Sequence, residues 1–151
     1  MGRTVAVPPW GRGGTMMDNR VLLVEDNGLI AKLWSRKLED AGYDVHAVSD
    51  GEEARRAMRQ WCPRLVLLDV WLPGVDGLTL CREWKSSAAT SGTKIIFVSA
   101  FGSRRDIEAA LKMGGDGYIV KSPRTASELV ERVAQYLGTN VTAPALRSGV
   151  M

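Results

Sequence analysis

Histidine is almost missing from this chain: among 151 residues there is one, His46. Cysteine is nearly as scarce, and Cys62 and Cys81 stand far apart with no C-x-x-C spacing. These shortages exclude a disulfide framework and a zinc site built on thiolates or imidazoles, and leave two reduced, partly buried thiols. No apolar run approaches the roughly 20 residues that cross a bilayer, and no signal-peptide-like apolar stretch opens the chain. A soluble, cytoplasmic protein without a membrane partner is expected. Neither sign of charge dominates, with 20 Lys and Arg against 17 Asp and Glu and a net charge of +3. The small basic groups, Arg55, Arg56 and Arg59 in one stretch and Arg104 and Arg105 in another, read as solvated helix faces. No aromatic-rich or helix-turn-helix pattern joins them, so direct DNA binding is not expected.

What is present is a regular alternation of short apolar runs and helical patterns. At this length and 45% hydrophobic composition one core is expected, over residues 19–138. Residues 1–18, with two adjacent prolines and no apolar period, read as a flexible tail, and residues 139–151 as another. "RVLLVED" gives a first strand. Leu29, Ile30, Leu33, Trp34 and Leu38 then recur at helical spacing between a cap at Asn27 and a stop at Gly42. "YDVHAV" alternates as a second strand, and Asp50 with Glu53 forms a capping-box pattern before a second helix that Pro63 closes. "RLVLL", "GLTLCREWK", "KIIFVSA", "SRRDIEAALKM", "GYIV" and "ASELVERVAQYL" continue the alternation, the last opened by a box of Thr125 and Glu128.

Five strands alternating with five helices predict an α/β fold, a doubly wound parallel sheet with helices on both faces. Strands one, three, four and five read as buried on both faces, and the more polar strand two as an edge. In such a sheet the carboxyl ends of the strands converge on one crevice. The residues delivered there are Glu25 and Asp26 after strand one, Asp69 after strand three, Ser99 at the end of strand four and Lys121 after strand five. Charges at the ends of buried strands are costly unless something pairs with them. Three crowded carboxylates repel one another unless a divalent cation neutralises them, and an all-oxygen set suits Mg²⁺. The Lys121 ammonium and the Ser99 hydroxyl add the donors a phosphoryl group needs. Asp69 is then the natural nucleophile, a carboxylate that accepts a phosphoryl group.

Residues 20–138 resemble the receiver domain of bacterial two-component response regulators. "VLLVED" is similar to that family's acidic-pair strand, "LVLLDVWLPGVDG" to its phosphoacceptor strand and loop, "IIFVSA" to its switch-hydroxyl strand and "GYIVKSP" to its aromatic and lysine strand. The resemblance implies a flavodoxin-like (CheY-like) fold with strand order 2-1-3-4-5. It implies that Glu25, Asp26, Asp69 and the backbone carbonyl of Trp71 bind Mg²⁺, with Mn²⁺ as a substitute. It further implies that Asp69 takes phosphate from a histidine kinase or histidine phosphotransfer protein. Ser99 would bond the phosphoryl oxygen, Lys121 would pair with it, Tyr118 would switch inward, and Trp71 and Ala100 would flank the site. A signalling phosphoacceptor is implied rather than an enzyme, with self-phosphorylation and autodephosphorylation as its only chemistry. A downstream protein would dock on the face formed by helix four, strand five and helix five, and the chain would be a monomer or a phosphorylation-dependent homodimer.

Two departures from the family pattern stand out. Ser122 intervenes between Lys121 and Pro123, where the family usually has proline directly after its lysine, and Trp71 is bulkier than many residues at its place. Among other function classes, a dehalogenase-type phosphatase needs a second acid two residues beyond the first, where Trp71 stands. A nucleotide or flavin module wants a glycine-rich or hydroxyl-rich loop after strand one, where "EDNGLI" offers acids instead. The remaining rival is a receiver-like adaptor that docks partners without regulated phosphorylation. After Gly138 only about a dozen residues remain, too few for an output domain, so a stand-alone receiver or a piece of a longer chain is expected.

Overall fold

Each predicted strand and helix has a counterpart in the computed structural model, which describes residues 19–138. The tails expected over residues 1–18 and 139–151 lie outside the described residues. The strands are β1 (Arg20–Val24), β2 (Asp44–Val48), β3 (Leu65–Leu68), β4 (Lys94–Ser99) and β5 (Gly117–Val120). The helices are α1 (Gly28–Asp40), α2 (Gly51–Trp61), α3 (Gly77–Lys85), α4 (Arg104–Lys112) and α5 (Thr125–Leu137). All strands pair in parallel in the order β2-β1-β3-β4-β5, the doubly wound α/β architecture expected.

Period-two alternation sorts the strand residues into two cores. Leu22, Val24, Val66, Leu68, Ile95 and Phe97 face α2, α3 and α4, meeting Ala54, Met58, Leu80, Trp84 and Ala110. Val21, Leu23, Leu65, Leu67, Ile96 and Val98 face α1 and α5, meeting Trp34, Leu38, Leu129, Val133 and Leu137. Central β3 is buried along its whole length, as a run of apolar residues covered on both sides must be. β5 differs from the doubly buried strand expected: it is the second edge, and Tyr118 is half-buried while Val120 is exposed. The edge position is the one that the strand order 2-1-3-4-5 implies, and what the apolar composition did not carry is the exposure of Tyr118 and Val120.

The helix ends show where local pattern and structure part. Asn27, Asp50, Asp76 and Ser103 each accept a hydrogen bond from a backbone N–H in the first turn of the helix they precede. The Asp50 and Glu53 box is half formed: Asp50 accepts from the Glu53 N–H, but the Glu53 carboxylate reaches past Asp50 to the N–H and hydroxyl of Ser49. The Thr125 and Glu128 box does not form. α5 starts after Arg124, and the Thr125 hydroxyl accepts from the Ser122 N–H instead, pinning the loop behind Lys121. In α1, Leu29 and Leu33 belong to the apolar period yet are exposed. At 3.6 residues per turn both sit about 100° or more around the helix from the Trp34 and Leu38 side that meets the sheet.

Candidate functional site

The parallel ladder extends one residue beyond several strands, and these extensions carry the site. The Glu25 N–H donates to the Val48 carbonyl, Asp69 to Val24, and Lys121 to Ser99, at 3.0, 3.2 and 2.8 Å. Three charged residues are thereby fixed by the last carbonyls of neighbouring strands, before any side-chain contact forms. The close approach of α3 completes the mount: a Cβ on Gly77 would lie 2.2 Å from the Asp69 carbonyl oxygen, so only glycine lets the helix start there. Gly77 also donates its N–H to the Val70 carbonyl at 2.8 Å.

Glu25, Asp26 and Asp69 each bring a carboxylate oxygen into a cluster whose oxygens all lie within 4.8 Å of one another. Glu25 and Asp69 are buried, and Asp26 opens to solvent. Lys121 reaches into this cluster. Its Nζ donates to Asp69 Oδ2 at 2.9 Å and stands 2.9 Å from Glu25 Oε1. Burial pulls the pKa of the ammonium down, but hydrogen bonds and charge from Asp69 and Glu25 outweigh it and hold the group above its ordinary value. The other carboxylate oxygens are engaged locally: Asp69 Oδ1 accepts from the Trp71 N–H at 3.1 Å, and Glu25 Oε2 from the Asn27 N–H at 3.0 Å.

A hard divalent cation fits this set on two grounds. The donors are all oxygen, as Mg²⁺ requires. Three carboxylates also meet there with a single ammonium, so the cluster keeps an excess of negative charge that a cation would offset.

Beyond the acids, Ser99 is fully buried at the end of β4, and its Oγ accepts from the Phe101 N–H at 3.1 Å. Tyr118 on β5 donates its hydroxyl to the Phe101 carbonyl, and its ring lies 6.3 Å from that of Phe97. Burial is the largest cause that raises the Tyr118 hydroxyl pKa. Trp71, 62% exposed, meets Phe101 edge to face at 6.0 Å, and Ala100 is exposed beside them. The structure therefore brings Glu25, Asp26, Asp69 and Lys121 together, with Trp71 on the rim through its N–H. Ser99 and Tyr118 are linked to each other through the backbone of Phe101, a residue that no motif or apolar period marks out. The peptide bonds among the described residues, including those around Ser122 and Pro123, are all trans.

Comparison with known proteins agrees with this geometry. The response regulator receiver domain family model matches residues 21–134. The DNA-binding response regulator MtrA of Mycolicibacterium paratuberculosis is 37% identical over 129 residues, covering 85% of this chain and 56% of that protein. The crystal structure of a putative response regulator from Chloroflexus aurantiacus superposes with a TM-score of 0.75 at 32% identity, covering 80% of this chain and 98% of the other. The BeF3-activated receiver domain of RstA from Klebsiella pneumoniae gives 0.71 at 29% identity, covering 80% and 100%. The chain spans about half the length of the curated relatives it matches.

These relatives correct one expectation. Weak charge and the lack of a helix-turn-helix pattern make direct DNA binding unexpected, yet the matched relatives are named DNA-binding response regulators. Charge and motifs speak only for the residues that carry them, and a DNA-reading element of a relative need not lie within the stretch it shares with this chain. No helix among the described residues is long and apolar enough to cross a bilayer. With the family model covering most of its length and the acidic crevice at the carboxyl edge of its sheet, the chain belongs to the response regulator receiver domain family.

Proposed function

We propose that Asp69 is the phosphoacceptor of this receiver, and that a phosphohistidine on a histidine kinase or phosphotransfer protein is its donor. The observation that carries this reading is the placement of Asp69: a carboxylate fixed by backbone bonds at a strand end, with one oxygen on the Lys121 ammonium. In the transfer, an Asp69 oxygen forms a bond to phosphorus as the P–N bond breaks, and the electron pair leaves with the imidazole. Lys121 then holds charge on the phosphoryl oxygens, and the Ser99 hydroxyl, now tied to Phe101, offers a further donor.

Glu25, Asp26, Asp69 and the Trp71 carbonyl are the groups that would hold Mg²⁺, or Mn²⁺ in its place. When bound, the ion supplies positive charge against which acid and phosphoryl oxygens can approach one another. Tyr118, joined through Phe101 to Ser99, is the group that would turn inward as the Ser99 hydroxyl moves. The name shared by the matched relatives supports a DNA-binding output controlled by such a receiver. The adaptor reading is disfavoured by the intact set of acids and lysine, which docking alone does not need.

Trp71 supplies the test, since its N–H bonds Asp69 and its indole stands at the rim. Adding Mg²⁺ and beryllofluoride should change tryptophan emission in the wild type and leave Asp69→Asn unchanged. An unresponsive wild type, or equal responses in both, would favour the adaptor.

A further inference from the structure

Trp34 fits its place in the apolar period of α1 and is 5% exposed, in the core formed with Val21, Leu23, Ile119 and Leu129. Its ring is also 5.7 Å from the Lys121 Nζ. That distance is within the range over which an ammonium is attracted to the face of an indole. The same ammonium is the one shared between Asp69 and Glu25. We propose that Trp34 is a positioning residue, whose indole holds the Lys121 ammonium at the mouth of the acidic cluster and keeps it there when Glu25 is drawn to a metal ion. The proposal rests on the reading of Asp69 as phosphoacceptor.

The physical argument turns on what competes for what. The two carboxylates that hold the ammonium belong to the cluster that fits a divalent cation, so a cation bound there draws on the same oxygens. Lysine has a long, flexible stem whose ordering costs side-chain entropy, and losing an ion pair frees it to leave. Among the described residues, the indole face is the contact of the ammonium that a metal ion does not compete for. It is also rigid, because Trp34 is packed between the sheet and α5. A neutral aromatic face is suited to this duty: it attracts the ammonium without adding a fourth negative charge to a crowded site.

Beryllofluoride with Mg²⁺ is the probe, its bound fluorines followed by NMR in the full chain. Asp69→Asn serves as the check on the underlying reading. If wild type binds no beryllofluoride, or Asp69→Asn binds it as well, the phosphoacceptor reading falls and this proposal with it. Given binding, Trp34→Leu should weaken the adduct about twofold to thirtyfold, the range set by an ammonium on an aromatic face, and by more than Trp34→Phe. Trp34→Phe, which keeps an aromatic face, should stay within about twofold. In a Lys121→Met background, Trp34→Leu should have no further effect, because the contact is already gone. A merely structural role predicts the opposite: equal weakening in both backgrounds, tracking a fall in thermal midpoint. That result, or equal losses in the Phe and Leu variants, would overturn the proposal. Trp34→Tyr repeats the aromatic arm if Trp34→Phe folds poorly.

Discussion

Lys121 Nζ donates to Asp69 Oδ2 at 2.9 Å, a contact that spans 52 residues of sequence and joins the ends of β3 and β5 across β4. Both partners are held by backbone bonds of the sheet, so the pair is preformed. Replacing Lys121 by Met leaves Asp69 and Glu25 buried together without their cation. Breaking a fully buried pair costs about 3–5 kcal/mol, and the partly exposed lysine puts this one lower, at about 1–3 kcal/mol. Thermal unfolding with and without Mg²⁺ checks this: Lys121→Met should lose stability in the absence of the ion and regain more of it than wild type on adding the ion.

Alkaline pH should release the same contact. The folded pKa of Lys121 is raised above its ordinary value of 10.5. Its contribution to stability is therefore complete below that value and is lost as pH rises through the folded pKa. As pH rises past 10.5 the wild-type midpoint should fall more steeply than that of Lys121→Met, which lacks the titrating ammonium. Parallel curves would contradict the pairing.

Gly77 is predicted to tolerate no side chain. A methyl placed 2.2 Å from the Asp69 carbonyl and 3.0 Å from the Val70 Cα must displace α3 or the strand end. Gly77→Ala should cost about 1–3 kcal/mol, the usual range for overpacking, and should slow phosphorylation of Asp69 as well. Denaturant unfolding and acetyl phosphate labelling measure the two effects.

Trp71 should govern how long the phosphoryl group lasts. Its indole is exposed and braced edge to face on Phe101, and the N–H of the same residue is bonded to Asp69. Trp71→Ala should leave stability within about 0.5 kcal/mol and shorten the lifetime of the aspartyl phosphate. An unchanged lifetime would remove Trp71 from the account.

Much of this was legible in the sequence because both signals are local or additive. Apolar runs of four or five residues separated by helical periods set the strand and helix order, and a polar residue closing each buried strand marked the crevice. Glu25, Asp26, Asp69, Ser99 and Lys121 could be collected that way without knowing a single distance. What local pattern does not carry is direction. Leu29 and Leu33 share the period of Trp34 and Leu38, but which part of an apolar stripe meets the sheet depends on how the helix is rolled. Thr125 and Glu128 have capping-box spacing, yet the hydroxyl is taken by the Ser122 N–H in the loop that follows the strand. Likewise Trp34 reads only as core, since its proximity to Lys121 joins α1 to the far end of β5 and leaves no trace in either segment.

The most direct measurement is intact-mass analysis after incubation with acetyl phosphate and Mg²⁺, with the adduct located by fragmentation. One acid-labile phosphoryl group on Asp69, absent without the metal ion and absent in Asp69→Asn, is the expected result. No adduct in wild type, or an adduct that persists in Asp69→Asn, would contradict it.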